Sequence, residues 1–176
     1  GDVYKRQSLY DEIKSTKNVK RYSTKFAKCI ENMEGTLGLV FIYSNFVNSG
    51  GIEDFAKILD ALGYIKYDSE AKKEGIRYGM YVATKKENNE KLINTFNSKE
   101  NEKGKLCKIL LGSPAMKEGV TLRRCRQVHI LEPYWNNSGT EQTIGRAIRY
   151  KSHNNLKIED QNCLLYTSPS PRDGLL

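Results

Sequence analysis

The apolar positions fall into short continuous runs separated by stretches with helical spacing. Leu39 to Tyr43, Tyr78 to Val82, Lys108 to Leu111 and Gln127 to Leu131 are the runs. They are rich in β-branched, aromatic and leucine residues, and most positions in each are apolar. That pattern predicts strands buried on both faces of a sheet. Between them, Phe26, Ala27 and Ile30 mark a helix over 23–33. Phe55, Ile58, Leu59 and Leu62 mark another over 52–62, and Leu92, Ile93 and Phe96 a third over 88–96. Residues 66–77 and 97–105 mix charges and read as exposed loops. Buried strands alternating with amphipathic helices predict an α/β fold with a mainly parallel sheet. Ligands of such sheets bind beyond the C-terminal strand ends. Here those ends carry Ser44-Asn45, the stretch from Ser113 to Gly119, and the turn before Glu141.

The last predicted helix has unusual chemistry. Ser138 to Glu141 reads as a capping box that opens it. At about 100° per residue, Gln142, Gly145, Arg146 and Arg149 share one stripe, with Ile144, Ala147 and Ile148 on the other. Four residues before the two arginines stand Gln142 and Gly145, so neither cation has an acidic partner on its own helix. A stripe of paired guanidiniums suits a polyanion such as phosphate. A solvated basic face is the plainer reading of the same spacing.

Composition adds little specificity. The chain has 176 residues and a formal charge of +8, which suits nucleic acid without requiring it. Four widely spaced cysteines and two histidines give neither a zinc pattern nor a disulfide framework. No apolar run is long enough to span a membrane, so the expectation is a soluble, intracellular protein. There is no G-x-x-x-x-G-K-[ST] phosphate cradle, no acidic pair after a strand, and no nucleophile–base set. His129, inside a strand, reads as a core histidine rather than a base. Phe41, Tyr43 and Trp135 read as packing rather than base-stacking platforms. What remains is half a site: cations for a phosphate that is held elsewhere.

Those residues resemble a family. Gln142-x-x-Gly145-Arg146-x-x-Arg149 matches motif VI of superfamily 2 helicases. SPAMKEGV from Ser113 to Val120 resembles motif V, and FIYSN from Phe41 to Asn45 resembles motif IV. The three come in the family's order. LLGSPAMKEGVTL, VHILEPYWN and EQTIGRAIRYKSH are similar to helicase-like ATPases of poxviruses and giant DNA viruses, the group of nucleoside triphosphatase I and the early transcription factor small subunit. The resemblance implies a single RecA-like, P-loop NTPase-like lobe over residues 22–162, with helices on both faces of its sheet and 8–21 as a linker or the lead-in to the domain.

The resemblance also implies roles. Arg146 and Arg149 would meet the γ-phosphate of ATP bound on a missing N-terminal RecA-like lobe, which would also hold Mg2+. Gln142 would order that site, with Gly145 leaving room. Glu118 and Gly119 would border the interlobe cleft. Ser44 and Ser113 would touch a DNA or RNA backbone. Gly79 would let a backbone approach there too, against the commoner role of a strand glycine, accommodating packing. Lys117 reads as a solvated lysine. Thr121 stands where many relatives carry an acid near the ribose and takes no role; Gly139 replaces a larger residue. The implied function is the second motor lobe of an ATP-dependent helicase or translocase, inactive by itself. It would serve viral transcription with a viral RNA polymerase, in the virion or host cytoplasm. A non-enzymatic nucleic-acid-binding module and a degenerate helicase scaffold are the alternatives.

The two ends read differently from the rest. DVYKRQ at 2–7 and CLLYTSPSPRD at 163–173 resemble translations of one transposase end sequence used in sequencing libraries, in opposite orientations. Residues 1–7 and 163–176 are therefore expected to lie outside the natural domain.

Overall fold

The structure is a computed structural model. It describes residues 2–48, 50–68, 74–116, 120–132 and 164–167. The predicted strands β1 (Leu39–Tyr43), β3 (Arg77–Met80), β4 (Ile109–Gly112) and β5 (Cys125–Ile130) all form. With β2 (Ile65–Lys66) and β6 (Leu164–Thr167) they make one sheet in the order β2-β3-β4-β1-β5-β6, and every described pairing is parallel. All five residues of β1 and all four of β4 are buried, which explains their uninterrupted apolar character.

Side-chain alternation along β1 divides the core into two layers. Val40 and Ile42 join Ile109, Leu111 and Tyr78 under helices α1 (Asp2–Thr16), α2 (Thr24–Glu34) and α3 (Ile52–Ala61). Leu39, Phe41 and Tyr43 join Leu110, Val128 and Ile130 on the other face. There Leu92 and Phe96 of α4 (Lys86–Asn97) cover them. The fold is therefore α/β, with helices on both faces of a parallel sheet, as the resemblance to a RecA-like lobe implies. The Ser23 side chain accepts from the Phe26 amide and caps α2, and Phe26, Cys29, Ile30 and Met33 form its buried face.

Four stretches differ from the patterned expectation. Within 97–105, expected as an exposed loop, a 3-10 turn over Lys99–Asn101 buries Asn101, whose side chain bonds the backbone of Phe96, Leu106 and Cys107. Residues 8–21 belong partly to α1, a helix with almost no apolar stripe. It docks through Ile13, which is 1% exposed, and Tyr10. One buried residue is too little periodicity to read from sequence. Strand β2, in part of the expected loop, is only two residues long, and backbone pairing with β3 rather than side-chain burial defines it. Strand β6 lies in the stretch that resembles an adapter translation. It takes the edge beside β5, where Leu164 and Leu165 remain more than half exposed.

His129 is 3% exposed, shares a hydrogen bond of 2.9 Å with Gln127 Oε1, and stacks on Tyr166 at 4.7 Å. Burial pushes its pKa down to about 4. The folded chain thus disfavours the imidazolium, while the unfolded chain binds the proton near the ordinary value of about 6.5. The stabilisation is fully present above that value and is lost as pH falls towards about 4. We expect acidification across this window to cost on the order of 1–3 kcal/mol. The loss should shrink in His129→Gln. Equal slopes of unfolding free energy against pH for the two proteins would contradict this.

Candidate functional site

Strands β1, β4 and β5 are neighbours, and their C-terminal ends form one polar rim. Ser44 follows β1, Ser113 follows β4, and Glu132 lies just beyond β5. All three are buried, at 0%, 2% and 7% exposure. The Ser44 hydroxyl donates to Glu132 Oε1 and accepts from the Phe46 amide at 3.1 Å. The Asn45 amide donates to the same Glu132 oxygen at 3.0 Å. A carboxylate buried at the sheet end would be costly alone. Here one of its oxygens collects two donors from the neighbouring strand end. Its Oε2 has no hydrogen-bond partner among the described residues. At β4, Ser113 turns the chain: its hydroxyl accepts from the Ala115 amide at 3.4 Å and its carbonyl from the Met116 amide at 2.9 Å.

The loop from β1 to α3 is held from several sides. The first amides of α3, Ile52 and Glu53, donate to the Phe46 and Val47 carbonyls at 3.0 and 2.9 Å. These groups would otherwise be open helix-terminal donors. The Gly50 amide donates to Asp54 Oδ2 at 2.5 Å, and the Tyr10 hydroxyl of α1 to Asp54 Oδ1 at 3.2 Å. Burial raises the Asp54 pKa, but bonds from Gly50, Tyr22 and Tyr10 outweigh it and hold the carboxyl below its ordinary value. Gly51 is required: a Cβ there would lie 2.1 Å from the Phe46 carbonyl oxygen. The outcome is a fixed loop with Phe46 and Val47 turned outward, 61% and 41% exposed.

A parallel sheet with this rim occurs in many proteins, and the sequence comparison decides among them. The family model for the helicase conserved C-terminal domain matches residues 24–151. The chain belongs to that family. It is 40% identical over 162 residues to a protein of Acanthamoeba polyphaga mimivirus named "Putative ATP-dependent RNA helicase", covering 90% of this chain and 28% of the relative. It is 35% identical over 141 residues to a killer-plasmid helicase of Kluyveromyces lactis, covering 80% and 23%. It is 26% identical over 162 residues to nucleoside triphosphatase I of Heliothis armigera entomopoxvirus, covering 91% and 23%. The chain thus spans under a third of each of these relatives. Among solved structures it is similar in fold to the C-terminal part of the Fun30 ATPase domain. That match has a TM-score of 0.52 and 18% identity, over 81% of this chain and 40% of that one.

Within this helicase C-terminal domain the expected site residues separate into two groups. Gln142, Gly145, Arg146 and Arg149, with Lys117, Glu118 and Gly119, lie outside the described residues, as do Trp135 and Gly139. Ser44, Ser113 and Gly79 are described. The hydroxyls of both serines are engaged within the protein, and neither side chain is presented to solvent. A Cβ on Gly79 would lie 2.2 Å from Leu92 Cδ1, so the glycine lets α4 pack close to β3. Gly79 also lines an open cavity of about 600 Å³ with Lys66, Lys85, Lys91, Asn88 and Asn89.

Residues without sequence signals also fix the loops around the sheet. The Asn89 side chain holds both the Val82 amide and the Val82 carbonyl. Asn97 of α4 donates to the Thr121 carbonyl and accepts from the Arg123 amide, both at 2.7 Å. It thereby ties down the segment that follows motif V. Glu132 was the main residue missed. Its partners lie 88 and 87 residues away, and only the glutamate closing an apolar strand hinted at it. Among the described residues no cluster of His, Cys, Asp or Glu could hold a metal ion.

Replacing Glu132 tests the clamp. Glu132→Ala strips the acceptor from the Ser44 hydroxyl and the Asn45 amide, and we expect a loss of about 1–3 kcal/mol of stability. Glu132→Gln keeps one carbonyl acceptor and should lose less. A urea midpoint for Glu132→Ala equal to that of the parent chain would contradict the clamp.

Proposed function

We propose that this chain is the second motor lobe of an ATP-dependent nucleic-acid helicase or translocase that works in viral transcription. The observation that carries the reading is the family match over 24–151 on a lobe whose turn from β1 to α3 offers no phosphate cradle. In a lobe that holds nucleotide, the turn after a strand presents free amides at a helix N-terminus. At the turn from β1 to α3, Phe46 and Val47 carbonyls occupy the amides of Ile52 and Glu53, and the loop carries no lysine. These residues do not fit a triphosphate, which supports a nucleotide held by the preceding lobe together with its Mg2+.

This chain's part in turnover is then electrostatic and positional. Arg146 and Arg149 meet the γ-phosphate across the interlobe cleft, one as the arginine finger, and offset charge that builds as phosphate passes to water. Gln142 orders the same site, and Gly145 keeps its approach open. Glu118 and Gly119 border the cleft on the motif V side. ATP supplies the phosphoryl group and the closing force between lobes. Alternating grip on a DNA or RNA backbone converts closure and release into movement. Ser44 and Ser113 contribute to that grip by fixing the loops they cap. A viral RNA polymerase is the expected partner.

In the full-length protein, Arg149→Ala should lower ATP turnover by about 10³-fold or more, with ATP binding largely kept. This chain by itself should show no turnover. Unchanged turnover in the Arg149→Ala protein would refute the finger assignment, and turnover by the chain alone would refute the half-site.

A further inference from the structure

We propose that Phe46 is a base-stacking contact for single-stranded nucleic acid crossing the C-terminal rim of the sheet; the inference rests on the motor-lobe reading above. Phe46 is 61% exposed, although the backbone that carries it is held on both sides. Its amide donates to Ser44 Oγ at 3.1 Å, and its carbonyl accepts from Ile52 at 3.0 Å. The side-chain-free Gly51 packs against its carbonyl. The loop therefore fixes the backbone from which an aromatic ring projects, at the end of the sheet where ligands of parallel α/β folds bind. The other aromatics of motif IV cannot serve: Phe41 and Tyr43 are 1% and 2% exposed.

The surroundings favour a base over a protein surface. Residues 44–51 contain no charged side chain, and Asn45, Val47 and Asn48 flank the ring in sequence. The carboxylates bonded to this loop, Asp54 and Glu132, are buried, at 4% and 7% exposure, and accept donors from the loop. Neither is open to direct contact with an approaching phosphate. Glu53, in the first turn of α3, is the nearest exposed acid in sequence. A neutral aromatic and amide loop on a chain of net charge +8 matches a polyanion whose bases stack while cations elsewhere meet its phosphates. Stacking is tolerant of base identity, as a motor that moves along a strand requires.

The test uses the full-length protein and labelled single-stranded DNA and RNA oligonucleotides, with affinity read by anisotropy over a series of salt concentrations. Phe46→Ala should weaken binding by about tenfold with an unchanged salt slope, because no phosphate contact is lost. Phe46→Tyr should restore affinity, and Phe46→Trp should show quenched indole emission on adding the oligonucleotide. Wild-type affinity in Phe46→Ala, with the wild type binding normally, overturns the stacking role and leaves the motor-lobe reading standing. Failure of the wild type to bind either oligonucleotide overturns both. Loss of ATP turnover without nucleic acid, at unchanged oligonucleotide affinity, overturns it in favour of a contact with the preceding lobe.

Discussion

The buried carboxylate of Glu132 is the constraint on which the working end of this lobe depends. Strands covered on both faces are held by apolar packing along their length, but they must end in polar backbone that can meet water or a ligand. Glu132 makes that transition by taking the Ser44 hydroxyl and the Asn45 amide on one oxygen. The end of β1 is thereby registered against the end of β5. The loop that follows leaves β1 in one direction, and the helix α3 amides close it from the other side.

A second carboxylate extends the same logic away from the rim. Asp54 receives the Gly50 amide from the loop and the Tyr10 hydroxyl from α1. The segment that precedes the lobe is thus tied through one buried acid to the loop that carries Phe46. On the opposite side of the sheet, Asn89 and Asn97 of α4 hold the ends of two further segments. Each of these side chains satisfies backbone groups that no strand or helix ladder could reach. Asn89 does so at the C-terminal end of β3, and Asn97 at the other end of the sheet, beside the lead-in to β5.

The parts of the fold set by burial were readable from the chain. β1 and β4 are uninterrupted apolar runs, β5 alternates apolar residues with Arg126, Gln127 and His129, and α2, α3 and α4 show one apolar stripe each. The parts set by single long-range contacts were not. α1 docks mainly through Ile13, and β2 exists only through pairing with β3. In the candidate site, motif IV and motif V located the rim at Ser44 and Ser113, yet residue type suggested exposed hydroxyls where the protein had already engaged them. Nothing in the sequence marks Phe46 as exposed, because spacing does not say which ring a glycine-dependent loop turns outward. The stripe of Arg146 and Arg149 suggests a phosphate partner from its spacing alone, and it lies outside the described residues.

The central claim is that the C-terminal rim of this sheet is the face that meets the nucleic acid. Amide hydrogen exchange in the full-length protein, with and without a single-stranded oligonucleotide and a non-hydrolysable ATP analogue, tests it most directly. The account predicts new protection concentrated in 44–51 and 113–121, with the opposite strand ends near Leu37 and Lys105 unchanged. Protection confined to those opposite ends, with the rim unaffected, would contradict it.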